Sequence, residues 1–218
     1  MNQRDRYQAR GAQAEFEPGS RGRVLRNRLG ITRVRDMSEA ESQALLIAQD
    51  AALDRYGPDH RFTANDVCAL HGLWLGPIYD WAGQYRTVNI AKGGFRFAHA
   101  PLIPRLMAEL TRGALARHTP CRPASDDALA AALAEVHAEL ILVHPFRDGN
   151  GRLARLLALL MALQAGLPPL DFAPLLHRGR AGYIAGIHAA LDRNYAPLTA
   201  SFARVISWSR RRVASSAR

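Results

Sequence analysis

His144-Pro145-Phe146-Arg147-Asp148-Gly149-Asn150-Gly151-Arg152-Leu153-Ala154-Arg155 separates the two most strongly helical stretches of this 218-residue chain. Before it, Ser125 predicts an N-cap, and Asp126 and Asp127 suit the positive end of a helix. Leu129, Leu133, Val136, Leu140 and Val143 then recur at helical spacing until Pro145 stops the run. After it, Leu153, Leu156, Leu157, Leu160 and Leu163 define a second helix from about Gly151, closed at Gly166-Leu167-Pro168. A polar loop between two apolar helices puts its backbone at the mouth of a helical core.

The loop has the parts for chemistry on a nucleoside polyphosphate. Gly149, Asn150 and Gly151 tolerate unusual backbone angles, so successive N–H groups can point into one hollow. That hollow opens a helix, whose N-terminus adds unpaired N–H groups and positive partial charge, where phosphate binds. Arg152 and Arg155 lie three residues apart, so both can fork onto one anion. Asp148 offers a hard oxygen ligand beside expected phosphates, as Mg²⁺ requires. His144, at the rim after the preceding helix, is the one side chain here whose ordinary pKa suits a base near neutrality. Taken singly each has a plainer reading: a helix-end histidine, an Asx-turn aspartate, capping glycines, a solvated arginine. Their concentration in twelve residues favours the chemical one. His137, two turns before His144, reads as a hydrogen-bonded structural histidine, because seven residues exceed the usual chelating spacing.

Elsewhere the pattern is also helical. Ser38 precedes Leu45, Ala48, Ala52, Leu53 and Tyr56; Thr63 precedes Val67, Leu70, Leu73 and Trp74. Leu102, Leu106, Leu110 and Ala114 predict a helix over 101–118, and two more are expected over 180–193 and 197–211. One segment differs. Arg86–Ile90 and Phe95–Phe97 alternate like strands around Lys92-Gly93-Gly94, which predicts a β-hairpin. The fold class is all-α with one hairpin. Residues 1–24 are expected to form a basic, loosely ordered tail, 25–205 the domain, and 206–218 a basic helix end.

Composition bounds the function. Apolar residues make up 48% and charged residues 22%, an ordinary globular balance. Cys68 and Cys121 are too few for a disulfide framework and fit a reducing compartment. The net charge of +10 sits at the ends: residues 1–35 hold nine Arg against three acids, and 204–218 hold five Arg and no acid. The centre is near neutral, which argues against a nucleic-acid-binding domain. Lys92 is the one lysine among 29 basic residues. Met1 to Gly30 lacks a hydrophobic signal region, and the most apolar stretch, Leu153–Leu170, is interrupted by Arg155, Gln164 and Pro168-Pro169. A cytoplasmic protein with no membrane span is expected.

The loop resembles the Fic-domain signature, His-Pro-Phe-x-(Asp/Glu)-Gly-Asn-Gly-Arg-x-x-Arg, and matches all nine specified positions. Trp81–Ile90 and Lys92–Phe97 look like the flap of the same family, and the resemblance spans roughly residues 25–205. It implies a Fic fold, a helical bundle with a small hairpin flap beside the active-site loop. It also implies AMP transfer from ATP, with Mg²⁺, to a Tyr, Thr or Ser hydroxyl of a target protein. Carried over by position, His144 would be the base and Asp148 the metal ligand. Gly149, Asn150 and Gly151 would cradle phosphates, and Arg152 and Arg155 would orient them. Phe146 would anchor the loop. Lys92, Gly93, Gly94, Phe95, Arg96 and Phe97 would align the target by strand addition.

Many family members carry an inhibitory Glu, followed by Gly or Asn, that pairs with the last Arg of the motif, here Arg155. None of the seven Glu residues is followed by either. The resemblance then favours a bacterial toxin held off by a small antitoxin that supplies the Glu. Type II topoisomerases such as DNA gyrase are candidate targets by the same resemblance. Delivery into another cell, another nucleotide or phosphate donor, and a non-catalytic binding module are the competing readings.

Overall fold

The computed structural model describes residues 13, 15–176 and 179–216. Most of the expected N-terminal tail, residues 1–12 and 14, lies outside them. The chain forms two compact units. The first holds residues up to Arg55, Ala64–Met107 and Val143–Asn150; the second holds Tyr56–Thr63, Ala108–Leu142 and residues from Gly151 onward.

In the first unit, helix α1 (Val34–Arg55) starts four residues before Ser38 and turns Met37, Glu41, Ala48 and Ala52 inward. Leu53 was expected on that face but is exposed, because it stands about 100° round the helix from Ala52. Helix α2 (Ala64–Leu75) packs against α1 with Val67, Leu70, His71, Trp74 and Leu75. The buried Trp74 indole donates to the Glu41 carbonyl at 2.8 Å, and the buried Glu41 carboxylate accepts from Tyr79 Oη at 2.7 Å.

The hairpin is shorter than its sequence pattern. β1 (Ala91–Lys92) pairs antiparallel with β2 (Phe95–Arg96), Ala91 opposite Arg96 and Lys92 opposite Phe95. Gly93 and Gly94, both at positive φ, form the two-residue turn. Residues 86–90 are not strand. Arg86 gives its N–H to the Pro145 carbonyl, and Val88 and Ile90 are buried in the core.

The expected helix over 101–118 is broken into pieces. A 3₁₀ turn (Ala100–Leu102) leads into α3 (Ile103–Leu110), then a π turn (Thr111–Leu115) and the short α4 (Ala116–His118). The π turn is bent at Gly113 (φ −95°, ψ −105°). The inward face is Ile103, Met107, Leu110 and Ala114, while Leu102, expected on it, lies in the 3₁₀ turn and is exposed.

The second unit's core comes from long helices. α5 (Asp126–Val143) starts where predicted, with Ser125 Oγ accepting from the Ala128 N–H at 3.2 Å. α6 (Asn150–Gln164) ends in a Schellman motif: Leu167 donates to the Ala162 carbonyl and Gly166, at φ +77°, to that of Leu163. α7 (Arg180–Ala189) packs on α8 (Ala196–Ser216), whose Leu198, Phe202, Val205 and Ile206 are buried. Among the described residues no helix is long and apolar enough to cross a membrane.

Candidate active site

The motif's first seven residues belong to the first unit and its last five to the second. His144 follows the end of α5 in a left-handed conformation, φ +50°. It was expected at a rim but is only 5% exposed. Phe97 covers it, the two rings stacked at 3.7 Å and 20°. Its backbone is held as firmly. The Arg86 guanidinium, fully buried, donates to the carbonyls of His144 (2.8 Å), Val88 (2.7 Å), Ala98 (2.6 Å) and Val143 (3.4 Å). These carbonyl dipoles offset the cost of burying a cation.

Phe146 is fully buried and stacks on His71 of α2 at 3.9 Å and 10°. His71 Nδ1 accepts from the Gly83 N–H at 2.8 Å, so its proton sits on Nε2, which lies 3.1 Å from the Asp148 carbonyl. Asn150 Oδ1 accepts from the Phe146 N–H at 2.9 Å and Nδ2 donates to the Phe146 carbonyl at 2.8 Å. The Asn150 amide, expected to cradle phosphate, is thus spent on the loop's own backbone.

Gly149 alone of the three cradle residues has positive φ, +83°; Asn150 and Gly151 are already helical. A Cβ on Gly149 would lie 2.9 Å from the Trp74 ring. Asp148 Oδ1 accepts from the Gly149 N–H at 2.6 Å, and Oδ2 has no hydrogen-bond partner among the described residues. Of the flap residues, Lys92, Phe95 and Phe97 are half-buried, while Gly93, Gly94 and Arg96 are exposed. Phe95 meets Phe97 edge-on at 5.2 Å.

In the second unit, Arg152 and Arg155 lie in the opening turns of α6. Side chains tilt toward a helix's N-terminus. Arg155 does so strongly, since a Cβ on Gly151 would stand 3.8 Å from its Nη1. Burial pulls the Arg155 guanidinium below its ordinary pKa, Tyr183 opposes this, and the neighbouring Arg152 charge adds to the fall. No carboxylate pairs with Arg155 among the described residues.

Behind Arg155 is His137, buried and hydrogen-bonded through Nε2 to Tyr183 Oη at 2.8 Å, the structural histidine expected. Burial, then the Arg155 charge, push His137 down to about 3. Burial also lifts Tyr183 to about 12.

Arg86 and His71 do not stand out in the sequence as site residues. Arg86 stood inside the quoted flap run, an arginine in an otherwise strand-like segment. His71 stood on the apolar face of α2, where a lone histidine gives little signal.

Each half of the motif has a distinct capacity. The first carries an imidazole, an open carboxylate oxygen and a glycine whose place no side chain could take. The second carries a helix N-terminus and a half-buried guanidinium with no paired carboxylate among the described residues, which together suit an anion.

Comparison with known proteins gives matching results. The Fic/DOC family matches residues 61–162. The chain is 30% identical over 177 residues to "Probable protein adenylyltransferase y4lH" of Sinorhizobium fredii, covering 78% of this chain and 90% of that protein. It is 34% identical over 148 residues to "Probable protein adenylyltransferase Fic" of Salmonella typhimurium, covering 66% and 70%. Among solved structures, it is similar to the N-terminal Fic domain of a VirB-translocated Bep effector from Bartonella quintana with bound ADP. There the TM-score is 0.68 at 25% identity, over 87% of this chain and 92% of that one.

Proposed function

This chain belongs to the Fic/DOC family and is a protein adenylyltransferase, and from that premise we propose the roles its residues take in moving AMP from ATP to a protein hydroxyl. His144 takes the proton from a Tyr, Thr or Ser hydroxyl of the target as its oxygen bonds to the α-phosphorus. The bond from the α-phosphorus to the bridging oxygen breaks and pyrophosphate leaves. Charge grows on the leaving group, and Arg152, Arg155 and the α6 N-terminus stabilise it. The N–H groups of Asn150 and Gly151 in the first turn of α6 would receive the phosphates, the Gly149 N–H being taken by Asp148 Oδ1.

Asp148 has the chemistry to hold Mg²⁺, since its Oδ2 is open and this ion typically takes one or two carboxylates with substrate phosphates and water. When bound, the ion supplies charge neutralisation at the phosphates. Lys92–Phe97 would present the hairpin edge to an extended segment of the target.

The observation that carries this assignment is Arg155, a half-buried cation folded back over Gly151 with no carboxylate paired to it among the described residues. Partial desolvation of this guanidinium without a paired carboxylate is unfavourable, and phosphate offsets that cost. The same feature supports a separate antitoxin whose Glu would occupy Arg155 and hold the enzyme off as a toxin in a bacterial cytoplasm.

The test compares α-labelled with γ-labelled ATP, incubated with Mg²⁺, bacterial lysate and either this protein or His144→Ala. Purified DNA gyrase serves as one added acceptor. Label on protein from the α-position only, lost in the variant, is the expected result. Label from the γ-position only would make the enzyme a kinase and overturn the assignment.

A further inference from the structure

The hairpin has so far served only to dock a target. The geometry around His144 gives it a second task. Arg86 reaches backbone on both sides of the hairpin, at Val88 before it and Ala98 after it, and the same guanidinium grips the His144 carbonyl. Phe97, one residue past β2, lies flat against the His144 imidazole. Phe95 in turn braces Phe97 edge-on. All of these residues lie in the first unit.

We infer that the flap positions the base: Arg86 fixes the His144 backbone and Phe97 fixes its ring, so the element that docks the target also aims the imidazole. Both are positioning residues, and only His144 touches the reacting hydroxyl.

Two physical effects act on His144. A histidine just past a helix end, in the left-handed region, has its backbone set against ordinary preference and needs outside hold. Arg86 supplies that hold through Nε, with the rest of its fork committed to the flap base and to Val143. The imidazole retains two side-chain torsions, and a ring stacked at 3.7 Å restricts both. Aim matters because a displacement of about 1 Å can cost about a hundredfold in rate.

The inference rests on the adenylyltransferase reading for its kinetic consequence, but not for its geometry, and the experiment separates the two. Imidazole C–H resonances are recorded for the wild type, Phe97→Leu, Phe97→Tyr and Arg86→Lys, with His144 assigned by its loss in His144→Ala. The ring current of Phe97 should displace the His144 signals upfield in the wild type and in Phe97→Tyr, and not in Phe97→Leu. Initial rates of α-label transfer to lysate proteins are then measured at saturating ATP over rising lysate concentration.

Phe97→Leu should fall about tenfold at every lysate concentration, while Phe97→Tyr restores the rate to within about twofold. ATP affinity by calorimetry should be unchanged in both. Arg86→Lys should also lose rate with ATP binding retained, and if it does not fold the Phe97 pair decides alone.

Recovery of the Phe97→Leu rate at high lysate concentration would reduce the flap to docking and overturn the inference. So would equal rates for the two Phe97 variants, or wild-type His144 signals that match those of Phe97→Leu. A wild type that transfers nothing from ATP would sink the adenylyltransferase reading, and the resonances would still decide whether Phe97 holds the base.

Discussion

The Asn150 side chain closes on Phe146 with two hydrogen bonds, one accepted from its N–H and one donated to its carbonyl, across four residues of chain. Both Phe146 groups are buried and would otherwise be unsatisfied. Asn150→Ala strips both at once and should destabilise the protein by about 2–4 kcal/mol. Urea unfolding measures this directly. A loss well under about 1 kcal/mol would mean that the loop is held by other means.

Gly149 has both a positive φ and a tight neighbour. Gly149→Ala must bear left-handed strain of about 1–2 kcal/mol and also push the buried Trp74 ring, which cannot swing away. Gly166→Ala bears the first cost alone, since no atom lies within 4 Å of the new Cβ. Denaturant midpoints should rank Gly149→Ala clearly below Gly166→Ala. Equal midpoints would show that the Trp74 contact yields.

Arg155→Ala should weaken ATP by about ten- to a hundredfold and AMP by much less, because charge-assisted hydrogen bonds to phosphate are worth about 1.5–3 kcal/mol. Calorimetry with the two nucleotides provides the ratio. A parallel loss for both would place Arg155 away from the terminal phosphates.

His137 makes stability depend on pH. Its folded value of about 3 lies far below the ordinary 6.5, with burial the first cause and Arg155 the second. As pH falls, the unfolded chain therefore takes up the proton first. Its contribution is complete above about pH 6.5 and is lost progressively as pH falls toward 3. Urea midpoints between about pH 7 and pH 5 should decline in the wild type and decline less in His137→Gln. The same slope in both would assign the dependence to other groups.

The candidate site loop stands out in the sequence because glycine, asparagine, histidine and arginine at fixed spacing leave few physical uses. Helix starts at Ser125 and the stop at Gly166 were legible for the same reason, since caps are local chemistry. What stayed hidden depends on long-range contacts. The Asn150 amide could be given to phosphate or to Phe146, and only the folded loop decides. Residues 86–90 alternate like a strand, but the Arg86 N–H pairs with Pro145, 59 positions on. Over 101–118 the stripes 102/106 and 103/107 both join Leu110 and Ala114 at helical spacing, so periodicity alone does not decide that Ile103 and Met107 face inward. His144 was expected at a rim because the sequence did not show that Phe97 would lie over it.

Lys92 is the chain's one lysine, and it stands in β1. Reagents that seek side-chain amines therefore have a single address on this protein, and that address is the flap. A lysine-specific protease has a single bond to cut, in the same hairpin. The rate at which either reaction proceeds, with and without nucleotide, would report on flap opening without any engineered label.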